Sequence, residues 1–369
     1  MKTRFYRTLL SATLLLASVA SIAVFAFTHT GTAQAATSGT LYVAEGLTMP
    51  DGNISVINAA TNTVTSRILV GDSNTSLLQR DLAVSADKSK LYVVGYQTNS
   101  NSGSYTLYSV LLATHSVTPI SLPQGSNFPV TLVADPINPA VYVLSYDTNG
   151  NGVVTIVNTA SDTITSSVSL PPNNAISLFS SGVVDSTGAY LYFPITIQNT
   201  DGTQSTVIGV FSLASDTLVG NIPSPAGAIS QLGISPDNSQ IYALANGRIQ
   251  VMNIATQSLV NSIPCNGVGA FVQNASGQLL YEVHADAVAT IDPSMSNISA
   301  VTGVKPVSKL LLSTNFSAYS NIATLSADGK FLYVASTLDN AVVVINTGKF
   351  TIQTIIPVGA NPQSTLFIP

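Results

Sequence analysis

The ionisable residues that could support catalysis are few and fall in two places. Beyond the first 35 residues the chain has two Glu, Glu45 and Glu282, and two His. Glu282, His284 and Asp286 alternate along the sequence and would face one side of a β-strand. With Glu45 they form a candidate polar cluster that could ligate a metal or perform acid–base chemistry. The structural alternative places His284 and Asp286 in a tight turn and pairs Glu282 with a neighbouring unit.

A second candidate is the segment at residues 147–152, Asp-Thr-Asn-Gly-Asn-Gly. It matches the first half of a calcium-binding loop, D-x-[DN]-x-[DN]-G. The twelfth position holds Asn158, where that loop requires a bidentate glutamate. A hairpin made of turn-forming residues explains the same sequence. We predict no resident metal and no cofactor, and calcium at this loop stays an open alternative.

Composition and missing motifs exclude several classes of protein. No G-x-S-x-G, H-E-x-x-H or G-x-x-x-x-G-K-[ST] motif occurs. Charged residues make up 8% of the chain, and its 12 Lys and Arg are too few for a nucleic-acid-binding surface. The single cysteine, Cys265, excludes a disulfide framework and a cysteine-based zinc module.

The first 35 residues have the features of a signal peptide. Lys2, Arg4 and Arg7 precede an apolar run at residues 9–27, and Ala-Gln-Ala at 33–35 gives a cleavage pattern. Retention of the run as an N-terminal anchor is the alternative. Cleavage removes three of the 12 basic residues and none of the 17 acidic ones, which leaves a net charge of −8. We predict a secreted or extracytoplasmic protein without a membrane span after cleavage, and leave association with the cell surface open.

An aliphatic-Tyr motif recurs seven times in residues 36–369. The intervals between its tyrosines are 50, 50, 50, 50, 39 and 52 residues, for Tyr42, Tyr92, Tyr142, Tyr192, Tyr242, Tyr281 and Tyr333. A turn cluster precedes six of them, and alternating β-branched runs follow, which is typical of strands. A period of about 40 to 50 residues with four strands predicts an all-β, seven-bladed propeller of four-stranded antiparallel blades in one domain. The C-terminal segment, residues 364–368, is expected to close the first blade.

The best copies of the repeat lie at residues 326–330, 332–346 and 355–362. Their Ser-x-Asp-Gly-Lys, Leu-Tyr-Val, Ala-Val-Val-Val-Ile-Asn-Thr and Ile-Pro-Val-Gly-x-x-Pro segments resemble the YVTN-type β-propeller repeat. The resemblance covers roughly residues 38–369. It implies a seven-bladed propeller similar to prokaryotic surface-layer proteins, and a motif that packs the core and carries no activity.

Loop length points to a binding face. We name the predicted strands of each repeat a to d, from inside to outside. The b–c loops are long in repeats one to four and shrink to two residues, 246–247 and 285–286, in repeats five and six. Variable loops on a rigid scaffold commonly bind ligands, although unconstrained variation is the alternative. The candidate binding residues are Tyr146, Asp147, Asn149 and Asn151 in one b–c loop, and Lys309, Phe316 and Tyr319 in an enlarged d–a segment.

Two functional hypotheses follow. The leading prediction is an exported, non-catalytic propeller, monomeric, that acts as a binding or cell-surface structural protein. Its partner would be an extracellular protein or a neutral glycan, because an acidic surface does not attract anionic polymers. The alternative is a lactonase-like or lyase-like propeller enzyme with a metal- or His-assisted site on the long-loop face. It requires members of the set Glu45, Glu282, His284 and Asp286 to converge near the central channel.

Overall fold

The computed structural model describes most of the chain beyond the predicted signal peptide, and residues 1–35 lie outside the described residues. Residues Thr37–Pro369 form one compact unit. Every regular element in the described part is a β-strand. No helix there is long and apolar enough to cross a membrane. The described ranges are 37–46, 52–72, 75–77, 82–97, 104–123, 127–177, 180–224, 227–265, 270–277, 280–284, 287–293 and 322–369.

The strands follow one another without long insertions in the described ranges. Those of the first four blades are β1 Thr40–Glu45, β2 Asn53–Asn58, β3 Thr63–Leu69, β4 Thr75–Leu77, β5 Ala83–Val84, β6 Lys90–Gln97, β7 Ser104–Leu111, β8 Ser116–Ser121, β9 Asn127–Ala134, β10 Ala140–Tyr146, β11 Gly152–Asn158, β12 Thr163–Ser169, β13 Asn174–Ile176, β14 Val183–Val184, β15 Tyr190–Gln198, β16 Gln204–Ser212 and β17 Thr217–Pro223. Those of the remaining blades are β18 Ile229–Ile234, β19 Gln240–Ala245, β20 Arg248–Asn253, β21 Ser258–Pro264, β22 Ala270–Gln273, β23 Leu280–His284, β24 Ala287–Ile291, β25 Ala323–Leu325, β26 Phe331–Ser336, β27 Ala341–Asn346, β28 Thr351–Pro357 and β29 Pro362–Ile368.

These strands form seven antiparallel sheets, which confirms the predicted seven-bladed propeller. Each sheet is a meander of consecutive strands, except that the first blade has the order β29-β1-β2-β3. Strand a of the second and fourth blades is divided into two short segments, β4/β5 and β13/β14. In the sixth blade the described residues supply three strands, β22-β23-β24. The C-terminal strand therefore closes the ring as predicted and covers the edge of β1.

The repeated tyrosines form the contacts between blades. All seven are buried, with exposed fractions from 0% at Tyr92 to 6% at Tyr281. Each lies in an apolar cluster shared by two neighbouring blades; for example, Tyr42 packs with Leu91 and Val93 of the second blade. The described residues contain one such cluster at each of the seven junctions. The motif recurs because every blade must bury both faces of its sheet.

The meander gives the propeller two different faces. The long-loop face carries the b–c loops, such as 147–151, and the d–a connections, such as 358–361. The short-turn face carries the a–b and c–d turns, such as 235–239 and 159–162. In the fifth blade the predicted two-residue b–c turn is present, because Asn246 and Gly247 both have positive φ, 48° and 68°.

Candidate functional site

Closure of the ring buries a carboxylate at the junction of the seventh and first blades. Glu45 ends β1 at the long-loop face and is 2% exposed. It shares one side of the strand with Leu41 and Val43, which pack against the seventh blade. The Ser55 hydroxyl on β2 donates a hydrogen bond to Glu45 Oε1. The backbone N–H of Gly359, in the connection between β28 and β29, donates to the same oxygen at 2.7 Å.

The second oxygen of this carboxylate faces a cation. Arg67 Nε on β3 lies 4.0 Å from Glu45 Oε2, and the Arg67 side chain is 51% exposed while that of Glu45 is 3% exposed. A Cβ at residue 359 would overlap with the carboxylate, so any other residue there would displace the Glu45 side chain from this position. Glu45 is thus held at one oxygen and placed beside a guanidinium at the other. Such a carboxylate can accept a proton from water, and such a guanidinium can stabilise an oxyanion.

The sequence pattern singles out Glu45 but not its three partners, Ser55, Arg67 and Gly359. The one sequence feature that distinguishes Arg67 is that arginine is rare in this chain: beyond residue 35 the arginines are Arg67, Arg80 and Arg248. Gly359 lies 314 positions from Glu45, so no local pattern connects them.

The other glutamate lies at a different junction. Glu282 on β23 is 2% exposed and neighbours Cys265, which follows β21 of the fifth blade. Burial raises the pKa of the Cys265 thiol, and the charge and hydrogen bonding of Glu282 raise it further. The structural alternative for Glu282, pairing with a neighbouring unit, therefore describes its position. Glu45 and Glu282 occupy separate blade junctions, so the structure does not bring them into one cluster.

The rest of the predicted polar cluster cannot be placed. Asp286 and the side chain of His284 lie outside the described residues, as do Lys309, Phe316 and Tyr319 of the predicted binding segment. Among the residues that are described, no group of three or more His, Cys, Asp or Glu is arranged to hold a metal ion.

The long b–c loop of the third blade is an internally bonded hairpin. Asp147 Oδ1 accepts hydrogen bonds from the backbone N–H groups of Asn149 and Asn151, both at 2.8 Å. Asn151 Nδ2 also donates to Asp147 Oδ2 at 3.1 Å. Burial alone would raise the pKa of Asp147, and the hydrogen bonds from Asn151 and Asn149 together outweigh it and lower that pKa. These contacts are those of a turn, as the hairpin alternative predicted.

Tyr146, the predicted apolar platform for a ligand, contacts the fourth blade. Its hydroxyl donates to the carbonyl of Ile176 on β13, and its ring packs against the core between the third and fourth blades. These contacts fix the Tyr146 ring and hydroxyl while part of the side chain stays exposed, and its role in binding a partner stays a prediction.

Comparison with known proteins identifies the fold. No protein-family model and no curated protein matches the chain. The periplasmic gluconolactonase PpgL of Pseudomonas aeruginosa is 16% identical with a TM-score of 0.65, and the match covers 90% of this chain and 99% of that one. A candidate 6-phosphogluconolactonase of Bacteroides uniformis is 14% identical with a TM-score of 0.62, covering 91% and 100%. A similar candidate from Bacteroides fragilis is 14% identical with a TM-score of 0.59, covering 92% and 99%.

These structures correct the leading functional prediction. The prediction of a non-catalytic binding or surface-structural propeller is wrong, because the propellers that match nearly the whole chain are described as a gluconolactonase and as candidate 6-phosphogluconolactonases. At 14% to 16% identity the likeness establishes a shared fold. The prediction failed because it counted ionisable residues along the chain. Glu45 meets Ser55 and Arg67 across its own blade, and it meets Gly359 only where the two ends of the propeller come together.

Proposed function

We propose that this protein is a lactonase-like propeller enzyme that hydrolyses an aldonolactone at Glu45, on the long-loop face. The observation that carries the proposal is the buried Glu45 carboxylate, held through one oxygen by Ser55 and Gly359 and facing the exposed Arg67 with the other. The shared fold with gluconolactonase-type propellers supports the choice of substrate class.

The proposed reaction uses the groups that surround Glu45. Glu45 accepts a proton from a water molecule that enters with the substrate, and the resulting hydroxide attacks the lactone carbonyl carbon. The Arg67 guanidinium stabilises the oxyanion of the tetrahedral intermediate. The bond between the carbonyl carbon and the ring oxygen then breaks, and Glu45 returns the proton to the departing ring oxygen. The product is the open hydroxy acid.

Ser55 and Gly359 act as positioning groups in this reaction. Their hydrogen bonds to Oε1 fix the carboxylate plane, which directs Oε2 towards Arg67. Fixed geometry of this kind lowers the entropic cost of reaching the transition state.

We also propose an extracytoplasmic location and membership of the YVTN-type repeat proteins. The N-terminal pattern of Lys2, Arg4 and Arg7, an apolar run and Ala-Gln-Ala supports export. The matched Pseudomonas aeruginosa enzyme is described as periplasmic, which agrees with this location.

The test is hydrolysis of D-glucono-δ-lactone, measured as acid release at constant pH after subtraction of the spontaneous rate. Wild-type protein should accelerate hydrolysis, and Glu45→Gln should lower kcat/KM by about 10²-fold or more, because the proton acceptor is lost. Glu282→Gln is the matched control, since that glutamate is equally buried at another junction. It should keep the wild-type kcat/KM.

Two results would overturn the proposal. If the wild-type protein does not exceed the spontaneous rate for glucono-δ-lactone or its 6-phosphate, the chain is not a lactonase of this class. If Glu282→Gln loses as much activity as Glu45→Gln while both variants remain folded, the site is not at Glu45.

A further inference from the structure

The short-turn face repeats one contact position from junction to junction. Each described c–d turn has a residue with positive φ, between 51° and 59°, just before strand d: Asn62, His115, Asp162, Asp216, Gln257 and Phe350. At two of these junctions the turn residue contacts strand b of the preceding blade. For example, the ring of Phe350 stacks on Tyr281, with centroids 6.1 Å apart.

At the junction of the second and third blades this position binds an ammonium group. Lys90 Nζ on β6 donates hydrogen bonds to Asp162 Oδ2 and to the carbonyl oxygen of Thr159, both at 2.8 Å. The Tyr92 hydroxyl donates to Asp162 Oδ1 at 2.6 Å. The side chains of Lys90 and Asp162 are 17% and 18% exposed, so the ion pair is largely shielded from water.

At the next junction the acid is present, but an alanine stands at the position that Lys90 holds one blade earlier. Asp216 occupies the position of Asp162, and Leu213 occupies that of Thr159. The two backbone N–H groups make equivalent hydrogen bonds: Thr159 donates to the carbonyl of Pro139, and Leu213 donates to the carbonyl of Ala189. Ala140, the first residue of β10, stands where Lys90 begins β6. A cleft of about 480 Å³ lies beside Ala140 between the third and fourth blades.

The walls of this cleft suit a short alkyl chain, and one end carries a negative charge. Ala140, Ile156, Ala189 and Leu213 contribute apolar surface, and Asp216 contributes a carboxylate. No described residue forms a hydrogen bond or ion pair with the Asp216 carboxylate.

The tyrosine of this junction donates its hydrogen bond to a residue other than Asp216. Tyr142 is the counterpart of Tyr92, but its hydroxyl donates to Asp135 Oδ2 at 2.9 Å. Asp135 belongs to the a–b turn of its own blade, so Tyr142 is directed away from Asp216.

We propose that this cleft binds a primary alkylammonium group, with Asp216 as its counterion. The ligand would place its alkyl chain against Ile156 and Leu213 and its ammonium group between the Asp216 carboxylate and the Leu213 carbonyl. This reproduces the contacts of Lys90 with Asp162 and Thr159 one blade further on. The inference is independent of lactone hydrolysis, because the cleft lies on the opposite face from Glu45.

The chemistry defines which molecules should bind. A primary ammonium has three N–H donors for the carboxylate and the carbonyl, whereas a quaternary ammonium has none. An alcohol of the same chain length fills the apolar part of the cleft but lacks the charge that strengthens the hydrogen bonds. Free amines and the lysine side chains of peptides both carry this group, and the experiment separates these two sources.

The test measures binding of n-butylammonium by calorimetry and thermal shift, at constant ionic strength. n-Butanol and tetramethylammonium are the control ligands. Nα-acetyl-lysine amide, whose side-chain ammonium is free, represents the lysine side chain of a peptide. We expect n-butylammonium to bind wild-type protein, and Asp216→Asn to weaken it about tenfold or more through loss of the charged acceptor. If the lysine derivative also binds, the site accepts lysine side chains. If only butylammonium binds, the site is specific for free amines.

Two further variants close one cleft and open another. Ala140→Lys should supply an internal ammonium, raise Tm and abolish butylammonium binding. Lys90→Ala should create an equivalent cleft beside Asp162, so that butylammonium restores part of the Tm lost by this variant. Equal binding of n-butanol and n-butylammonium, or unchanged binding in folded Asp216→Asn or Ala140→Lys protein, would overturn the proposal.

Discussion

Replacing Lys90 by methionine removes the charge from the shielded ion pair between the second and third blades and keeps the aliphatic part of the side chain. The ammonium lies 2.8 Å from Asp162 Oδ2. At an effective dielectric constant of about 20, this separation corresponds to an attraction of about 6 kcal/mol before desolvation and side-chain entropy are subtracted. Because both side chains are less than one-fifth exposed, the net loss should exceed that of a surface pair.

We expect Lys90→Met to lower the free energy of unfolding by about 2 kcal/mol and Asp162→Asn by about 3 kcal/mol, since the second variant leaves a shielded ammonium without its counterion. Unfolding entropy of about 2.1 cal/mol/K per residue gives about 0.7 kcal/mol/K for the unit Thr37–Pro369. The Asp162→Asn variant should therefore lower Tm by about 4 °C.

The assay is thermal and urea-induced unfolding, followed by circular dichroism because the chain has no Trp. Lys330→Met is the matched control: Lys330 Nζ lies 3.1 Å from Asp328 Oδ2, but its side chain is 57% exposed. That variant should cost less than about 1 kcal/mol. The reasoning is refuted if Lys90→Met costs no more than Lys330→Met, or if a double-mutant cycle between Lys90 and Asp162 gives no coupling energy.

Two further predictions concern pH and thiol chemistry. Hydrogen bonds from Ser235 and Ser239 lower the pKa of Asp237 to about 2 from its ordinary value of 3.8. Because the folded-state pKa is the lower one, the stabilisation is present above pH 4 and is lost as the pH falls through about 2. Tm measured from pH 5 to pH 2 should therefore fall less in Ser235→Ala than in wild type, and parallel curves would contradict this. Burial and the adjacent Glu282 raise the pKa of Cys265, so iodoacetamide at pH 8 should modify the thiol rapidly only after unfolding in urea; rapid modification of the native protein would contradict this.

The architecture could be predicted from the sequence because its determinants are local and repeated. Tyr192 and Tyr242 lie in the same strand context 50 residues apart, and each repeat carries its own turn residues. The Asn246-Gly247 turn follows from two residues that adopt positive φ at little cost. Even the closing strand β29 was predictable, since an unpaired strand a at the C-terminus matches a first repeat that begins at strand b.

The candidate sites depended on contacts that no local pattern encodes. Glu45 meets Gly359 only because β29 returns to β1, and Arg67 approaches it from β3 across Ser55. Glu282 looked equivalent to Glu45 in sequence, yet the ring places it at another junction beside Cys265.

The cleft beside Asp216 shows the same division between sequence and tertiary structure. In sequence it corresponds to one difference between neighbouring repeats, Ala140 at the position of Lys90. Whether that difference leaves a space depends on how the next blade packs, since the acid and the missing lysine belong to different blades. The sequence determined the repeating strands and their core through side-chain alternation and turn chemistry. The tertiary structure decided which polar groups meet, because ring closure and blade packing join residues that are far apart in the chain.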